Sequence, residues 1–232
     1  MLKTGGAGST VNVPVTPYEN RQQAGRELAV LLERFRGSDS AVLAIPRGGV
    51  VVAYEVARTL ELELDVIVPR KIGAPGQPEL AIGAVASWGD HDAILDEQSV
   101  RILGVSREYI EREVEHQLAE VTRRLHAYRG TTEPPSVEGR SVLLVDDGIA
   151  TGYTTRAAAI ALRNLKASSI ILAVPVAPPD SLHAIKPYVD EVVCPKTPSP
   201  FLAVGYWYRN FEQVSDDEVI ALLRAARADR QA

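Results

Sequence analysis

The sequence predicts an α/β protein, a mostly parallel twisted sheet with helices on both faces. Three observations predict it. Short Val/Leu/Ile runs at 41–45, 64–68, 142–145 and 169–174 are apolar at almost every position, the mark of strands buried on both faces. Segments with apolar residues three and four apart separate many of these runs. Chemically distinctive residues fall just after the strands, where open parallel sheets place their ligands.

Taken in order, residues 1–17 are rich in Gly, Ser, Thr and Pro and lack periodicity, which predicts a mobile tail before one domain over 18–228. From 20 to 35, Ala24, Leu28, Leu31, Leu32 and Phe35 trace one face of an amphipathic helix that ends at Gly37-Ser38-Asp39. A strand over 41–45, a helix over 50–60 and strands over 64–68 and 81–86 follow, with a brief strand at 93–95. Residues 69–79, between two of these strands, read as a Gly/Pro-rich loop. Residues 106–128 form a long polar helix with Ile110, Val114, Leu118, Val121 and Leu125 as its stripe. After the Pro134-Pro135 loop come a strand at 142–145, a helix at 154–165, a strand at 169–174, a helix at 180–186, a strand at 189–194 and a last helix near 216–228.

Composition narrows the function. Of 232 residues, 46% are hydrophobic and 24% charged, as in an ordinary globular domain able to bury a core unaided. The net charge of −5 argues against wholesale nucleic-acid binding. One cysteine, Cys194, excludes a disulfide framework and a cysteine-based zinc site, and a buried structural thiol beside a surface His183 is expected. His91, His116 and His126 lack metal-ligand spacing. No stretch approaches the roughly 20 apolar residues of a membrane span, and MLKTGGAGSTVNVP has no apolar run of a signal peptide. A cytoplasmic protein without a membrane partner is the expectation.

The strongest motif is VLLVDDGIATGYTT, 142–155. An apolar strand ends in Asp146 and Asp147, and a turn containing Gly148 and Gly152 with Thr151, Thr154 and Thr155 opens directly into a helix. A helix N-terminus presents unpaired N–H groups and the positive end of a dipole, and glycine lets the backbone approach a ligand closely. That end of the motif suits a phosphomonoester. The carboxylates repel phosphate, but they accept hydrogen bonds from vicinal hydroxyls or hold a hydrated Mg²⁺. Phosphate beside diol outlines a ribose 5-phosphate. The receiver fold of response regulators, which also opens on such a strand, requires a phosphoacceptor Asp ending a later strand, and Asp190 precedes its strand. Haloacid-type phosphatases require Asp-x-Asp, and no P-loop or three-glycine dinucleotide fingerprint is present.

The string resembles the phosphoribosyl pyrophosphate motif of the type I phosphoribosyltransferases. The resemblance extends over about 18–228, including Arg21-x-x-Ala-Gly-Arg and Gly73-Ala-Pro-Gly-x-Pro-Glu-Leu-Ala-Ile-Gly-Ala-Val, and is nearest to a bacterial subgroup of that family. It implies a small hood on the sheet, with a C-terminal hood or base-site segment near 195–213. Asp146 and Asp147 would bind the ribose hydroxyls, and Ala150, Thr151, Gly152, Tyr153 and Thr154, with Thr155, the 5′-phosphate. Pro46-Arg47-Gly48-Gly49 matches the pyrophosphate loop, so Arg47, Gly48 and Gly49 would meet the leaving group near a non-proline cis peptide. Residues 69–79 match the mobile loop that closes over the site, with Arg70 and Lys71 on pyrophosphate and Glu79 an acid–base candidate. In 200–211, which also reads as a packed edge strand, Phe201 matches the ring that stacks on a base, and Lys196 resembles a lysine that addresses a purine carbonyl.

Ala150 stands where hypoxanthine-guanine enzymes carry Asp; adenine enzymes also carry Ala there. The resemblance implies a homodimer using Mg²⁺, phosphoribosyl pyrophosphate and a nitrogenous base. The alternative is a non-catalytic regulator on the same fold that senses phosphoribosyl pyrophosphate and binds nucleic acid.

Overall fold

The computed structural model describes residues 16–86, 88 and 93–230. The greater part of the predicted tail, the His91 position and the side chain of Glu79 lie outside the described part.

Among the described residues, eight strands and seven α-helices follow one another as α1 (Arg21–Leu31), β1 (Ala41–Ala44), α2 (Gly48–Leu60), β2 (Glu63–Val66), β3 (Pro69–Ala74), β4 (Gln77–Ala86), β5 (Ile94–Leu95), α3 (Glu97–Ile102), α4 (Arg107–Arg129), β6 (Ser141–Val145), α5 (Tyr153–Asn164), β7 (Ser169–Ala173), α6 (Pro179–Ile185), β8 (Glu191–Val193) and α7 (Asp216–Asp229). Five strands form the parallel sheet in the order β2-β1-β6-β7-β8. Its strands are buried on both faces, which is why the sequence shows continuous apolar runs. Val42, Ala44, Leu143 and Val145 point into a core with Leu28 of α1, Val52 of α2, Leu125 of α4 and Leu223 of α7. Leu43, Leu144 and Leu172 point into a second core with Ala158 and Leu162 of α5 and Ile185 of α6.

After β1 the chain crosses to β2 on one side, and β6 later adds on the other, so the switch point lies between the carboxyl ends of β1 and β6. Pro46-Arg47 and Asp146-Asp147 stand at those two ends.

Three expectations need correction. Residues 69–79 are not a loop: β3 and most of β4 form an antiparallel hairpin joined by β5, a separate three-stranded sheet. The hairpin is ordered by its own small core of Ile72, Ala74, Ile82 and Val85 against Tyr109, Val114 and Leu118 of α4. Its loop-like composition has a local cause. Pro69 is the first strand residue, where a missing N–H is tolerated, and the register shifts around Gly73, where an added Cβ would strike the Pro78 backbone at 2.6 Å. Segment 200–211 is not an edge strand either. It holds a 3₁₀ turn at Val204–Trp207 and a single bridge from Tyr18 to Tyr208, around a cluster of Tyr18, Tyr208, Phe201 and Trp207. The first helix stops at Leu31, and a 3₁₀ turn, Glu33–Phe35, completes the segment.

No helix among the described residues is long and apolar enough to cross a membrane.

Candidate functional site

The two helices that begin at the switch point have open N-termini. α2 starts directly after Arg47 and α5 directly after Gly152, and neither carries a side-chain cap. By contrast, α1, α3, α4 and α7 are capped by Asn20, Asp96, Ser106 and Ser215. Uncapped first-turn N–H groups are donors waiting for an anion. Gly152 takes the left-handed conformation (φ 78°) that aims the loop into α5. Ala150 and Thr151 are exposed at that loop, Tyr153 and Thr154 half-buried, and Thr155 is buried within α5.

Gly48 and Gly49, expected in a loop, are the first turn of α2, and they pack against the acid pair. A Cβ on Gly48 would fall 1.9 Å from Asp147 Oδ2, and one on Gly49 would fall 2.9 Å from Asp146 Cα. Glycine is required here because the helix start and the carboxylates occupy adjoining space. The Pro46–Arg47 peptide is cis, as the resemblance implied. Arg47 is held loosely by Asp216 at the start of α7, Nη1 to Oδ1 3.6 Å. The same Oδ1 accepts the Tyr128 hydroxyl at 2.7 Å.

The two carboxylates are unequal. Asp147 Oδ2 accepts from Arg21 Nε at 2.7 Å, with the Asp147 side chain only 14% exposed. Asp146 Oδ1 accepts from the Asp147 backbone N–H at 2.8 Å. Burial, and then the neighbouring Asp147 charge, push Asp146 well above the usual carboxylate range. Burial raises Asp147 too, opposed by the Arg21 guanidinium.

Arg21 is the residue whose role at the acid pair the sequence did not disclose. Its Nη1 donates to the Glu212 carbonyl at 2.8 Å, and its guanidinium lies 3.8 Å from the Phe211 ring centroid. It reaches the site because α1 crosses α2 closely at Gly25, where a Cβ would meet the Val52 carbonyl at 2.6 Å. Tyr208 was also missed; its hydroxyl donates to the Asp147 carbonyl. Arg21 and Asp147 are 126 residues apart, so no spacing rule could pair them.

The remaining predicted residues divide. Arg70 turns toward α4 and donates from Nε to Gln117 Oε1 at 2.9 Å, and burial followed by Arg124 lowers its pKa. Lys71, next along β3, is exposed. Lys196 donates to the Thr16 carbonyl at 2.7 Å and sits 3.3 Å from the Tyr18 ring centroid. Phe201 stacks on Trp207 with centroids 6.2 Å apart. Cys194 is half-buried rather than buried, burial pushes its thiol up to about 12 and so away from the thiolate form, and His183 is exposed.

Among the described residues no group of three or more His, Cys, Asp or Glu is placed to hold a metal ion. The acid pair, each member with one oxygen already engaged, fits instead a hydrated cation shared with a bound ligand.

The fold and site define an α/β protein with two open helix N-termini and a vicinal acid pair at the switch point of a parallel sheet. The chain belongs to the phosphoribosyl transferase family: the family model described as phosphoribosyl transferase domain matches residues 17–208. It is similar to "Putative phosphoribosyl transferase Rv0571c" of Mycobacterium tuberculosis H37Rv, 44% identical over 212 residues, covering 91% of this chain and 47% of the relative. "Putative phosphoribosyl transferase MT0597" of strain CDC 1551 matches to the same extent. The chain thus spans about half the length of these curated relatives. The crystal structure of TT1426 from Thermus thermophilus is similar throughout, at 39% identity and a TM-score of 0.75, covering 90% of this chain and 98% of that one.

Proposed function

We propose that the chain binds Mg²⁺–phosphoribosyl pyrophosphate and transfers its ribosyl 5-phosphate to a nitrogenous acceptor, a nucleobase, releasing pyrophosphate. The observation that carries this reading is the contact of Gly48-Gly49 with Asp146-Asp147: one open helix N-terminus adjoins a diol-binding acid pair, and the chain leads straight from that pair into a second. A substrate with a phosphate at one end, a diol in the middle and a diphosphate at the other has that sequence of groups.

In this reading the α5 N-terminus and the loop 150–154 bind the 5′-phosphate through backbone N–H groups. Asp146 and Asp147 accept from the ribose hydroxyls, each through its unengaged oxygen. Arg21 fixes Asp147 so that one oxygen stays turned to Gly48 and the other is left for ligand. When bound, Mg²⁺ supplies charge neutralisation to the diphosphate, held by Asp146 and Asp147 through water. Arg47 leaves its weak partner Asp216 for the diphosphate, a stronger pairing for a guanidinium than a single carboxylate oxygen at 3.6 Å. The bond from C1 to the diphosphate oxygen breaks with its electron pair leaving on pyrophosphate, the acceptor nitrogen bonds to C1, and the acceptor N–H proton passes to solvent. Positive charge developing on the ribosyl ring is stabilised by the fixed acid pair. Phe201 and its neighbours provide the aromatic surface for the base.

The test is pyrophosphate release from phosphoribosyl pyrophosphate and Mg²⁺ across a panel of purine and pyrimidine bases. Release that depends on one class of base supports the reading. Tight phosphoribosyl pyrophosphate binding with no base-dependent release would favour the non-catalytic sensor instead.

A further inference from the structure

Tyr153, the first residue of α5, donates its hydroxyl proton to Asp96 Oδ2 at 2.7 Å across 57 residues of sequence. Asp96 is the N-cap of α3: its Oδ1 accepts from the N–H groups of Gln98 and Ser99, and its Oδ2 also accepts from Ser99 Oγ at 2.8 Å. The Asp96 backbone N–H in turn donates to the Ile82 carbonyl of β4 at 2.8 Å. The carboxylate is thereby built into the antiparallel module while its acceptor reaches into the phosphate loop. The Arg156 guanidinium lies 4.5 Å from the Tyr153 ring centroid, which confines the ring.

The loop is tied at its start to the parallel domain, by Ile149 N–H to the Val176 carbonyl at 3.0 Å and by Ser181 Oγ to the Ala150 carbonyl. Between its ends Ala150 and Thr151 are exposed. At its far end the side-chain anchor is Tyr153 on Asp96. A loop that binds a phosphate through backbone N–H groups has to hold them within a fraction of an ångström, so both anchors matter.

We propose that Asp96 is a positioning residue for the 5′-phosphate loop, acting through the Tyr153 hydroxyl, and that this bond couples phosphate binding to the antiparallel module of β3, β4, β5 and α3. The inference rests on the function proposed above. A hydrogen bond to an ionised acceptor is stronger than a neutral one, and the coupling is reciprocal. Phosphate in the loop steadies the module, whose strand β3 carries Arg70 and Lys71.

Calorimetric titration with ribose 5-phosphate, without metal or base, tests the inference on Tyr153→Phe, Asp96→Asn and the double variant. Each single change is expected to weaken binding about five- to tenfold, and the double variant to bind no more weakly than the worse single, as for two partners in one contact. In the full reaction the KM for phosphoribosyl pyrophosphate should rise more than kcat falls. Ser106→Ala, which removes the side-chain cap of α4 and touches neither Asp96 nor Tyr153, is the control and should bind ribose 5-phosphate as wild type does.

Tyr153→Phe removes one hydroxyl and leaves the cap intact, so the test stands even if Asp96→Asn folds poorly. Wild-type affinity in Tyr153→Phe, or equal weakening in Ser106→Ala, would overturn the inference. Absence of any ribose 5-phosphate or phosphoribosyl pyrophosphate binding by folded wild type would defeat the functional reading itself, and the inference with it.

Discussion

The carboxyl edge of the parallel sheet and the antiparallel module treat their helix ends in opposite ways. At the edge, α2 and α5 begin without side-chain caps, and two carboxylates are packed side by side. In the module and on the helix packed against it, α3 and α4 are capped by Asp96 and Ser106, and polar groups find partners. Aspartate shows the contrast directly. Asp146 is pushed up by burial and by its neighbour, whereas Asp96 is drawn down to about 2 by the Tyr153 hydroxyl and Ser99. One region holds unfavourable electrostatics that a ligand would relieve, and the other has already relieved its own. Functional sites are commonly of the first kind.

The largest effect should follow from disturbing the edge. Asp147→Asn keeps an acceptor for Arg21 but removes the charge, and turnover should fall on the order of a thousandfold in a pyrophosphate-release assay. Near-wild-type turnover would mean that the edge is merely strained and the contrast with the module carries no function.

Core truncations sharpen the comparison next. Leu144→Ala empties space between the sheet and α5, and should cost about 3 kcal/mol of global stability in chemical denaturation. Ile82→Ala strikes the four-residue core of the module, and should show first as faster amide exchange over 69–86 while the parallel sheet stays protected. Loss of protection in both regions together would show that they unfold as one unit.

Smaller again, Ser106→Ala should cost about 1 kcal/mol through the lost cap on α4, leaving ribose 5-phosphate affinity unchanged.

The smallest effect is in pH. Because the folded-state pKa of Asp96 lies below its ordinary value of 3.8, its stabilisation is fully present above about pH 4 and disappears as the pH falls toward 2. The amide protection factors of α3, taken relative to intrinsic exchange at each pH, should fall across that window in wild type and not in Asp96→Asn.

The same contrast decides what could be read from the sequence. The edge was legible because its signals are local: an apolar run, two acids, two glycines and three threonines within 142–155 announce strand, turn and open helix. The parallel strands were legible because double-sided burial leaves no alternation. The module was hidden. Pro69, Gly73 and Pro78 make β3 and the start of β4 look like a loop, and it is their pairing with each other and their contacts with α4 and α5 that order them. The α4 stripe was seen, but not that it serves two cores, Val114 and Leu118 facing the module, and Val121 and Leu125 the main sheet. Arg21 on Asp147 and Tyr153 on Asp96 join distant segments, and pairings of that kind leave no periodic trace.

The central claim is tested most directly by calorimetric titration of the protein with phosphoribosyl pyrophosphate and Mg²⁺, beside the Asp146→Asn/Asp147→Asn double variant. Saturable binding by wild type, lost in a double variant that keeps the native circular dichroism spectrum, is the predicted result. Equal binding by both proteins, or none by folded wild type, would contradict the placement of the substrate at this edge.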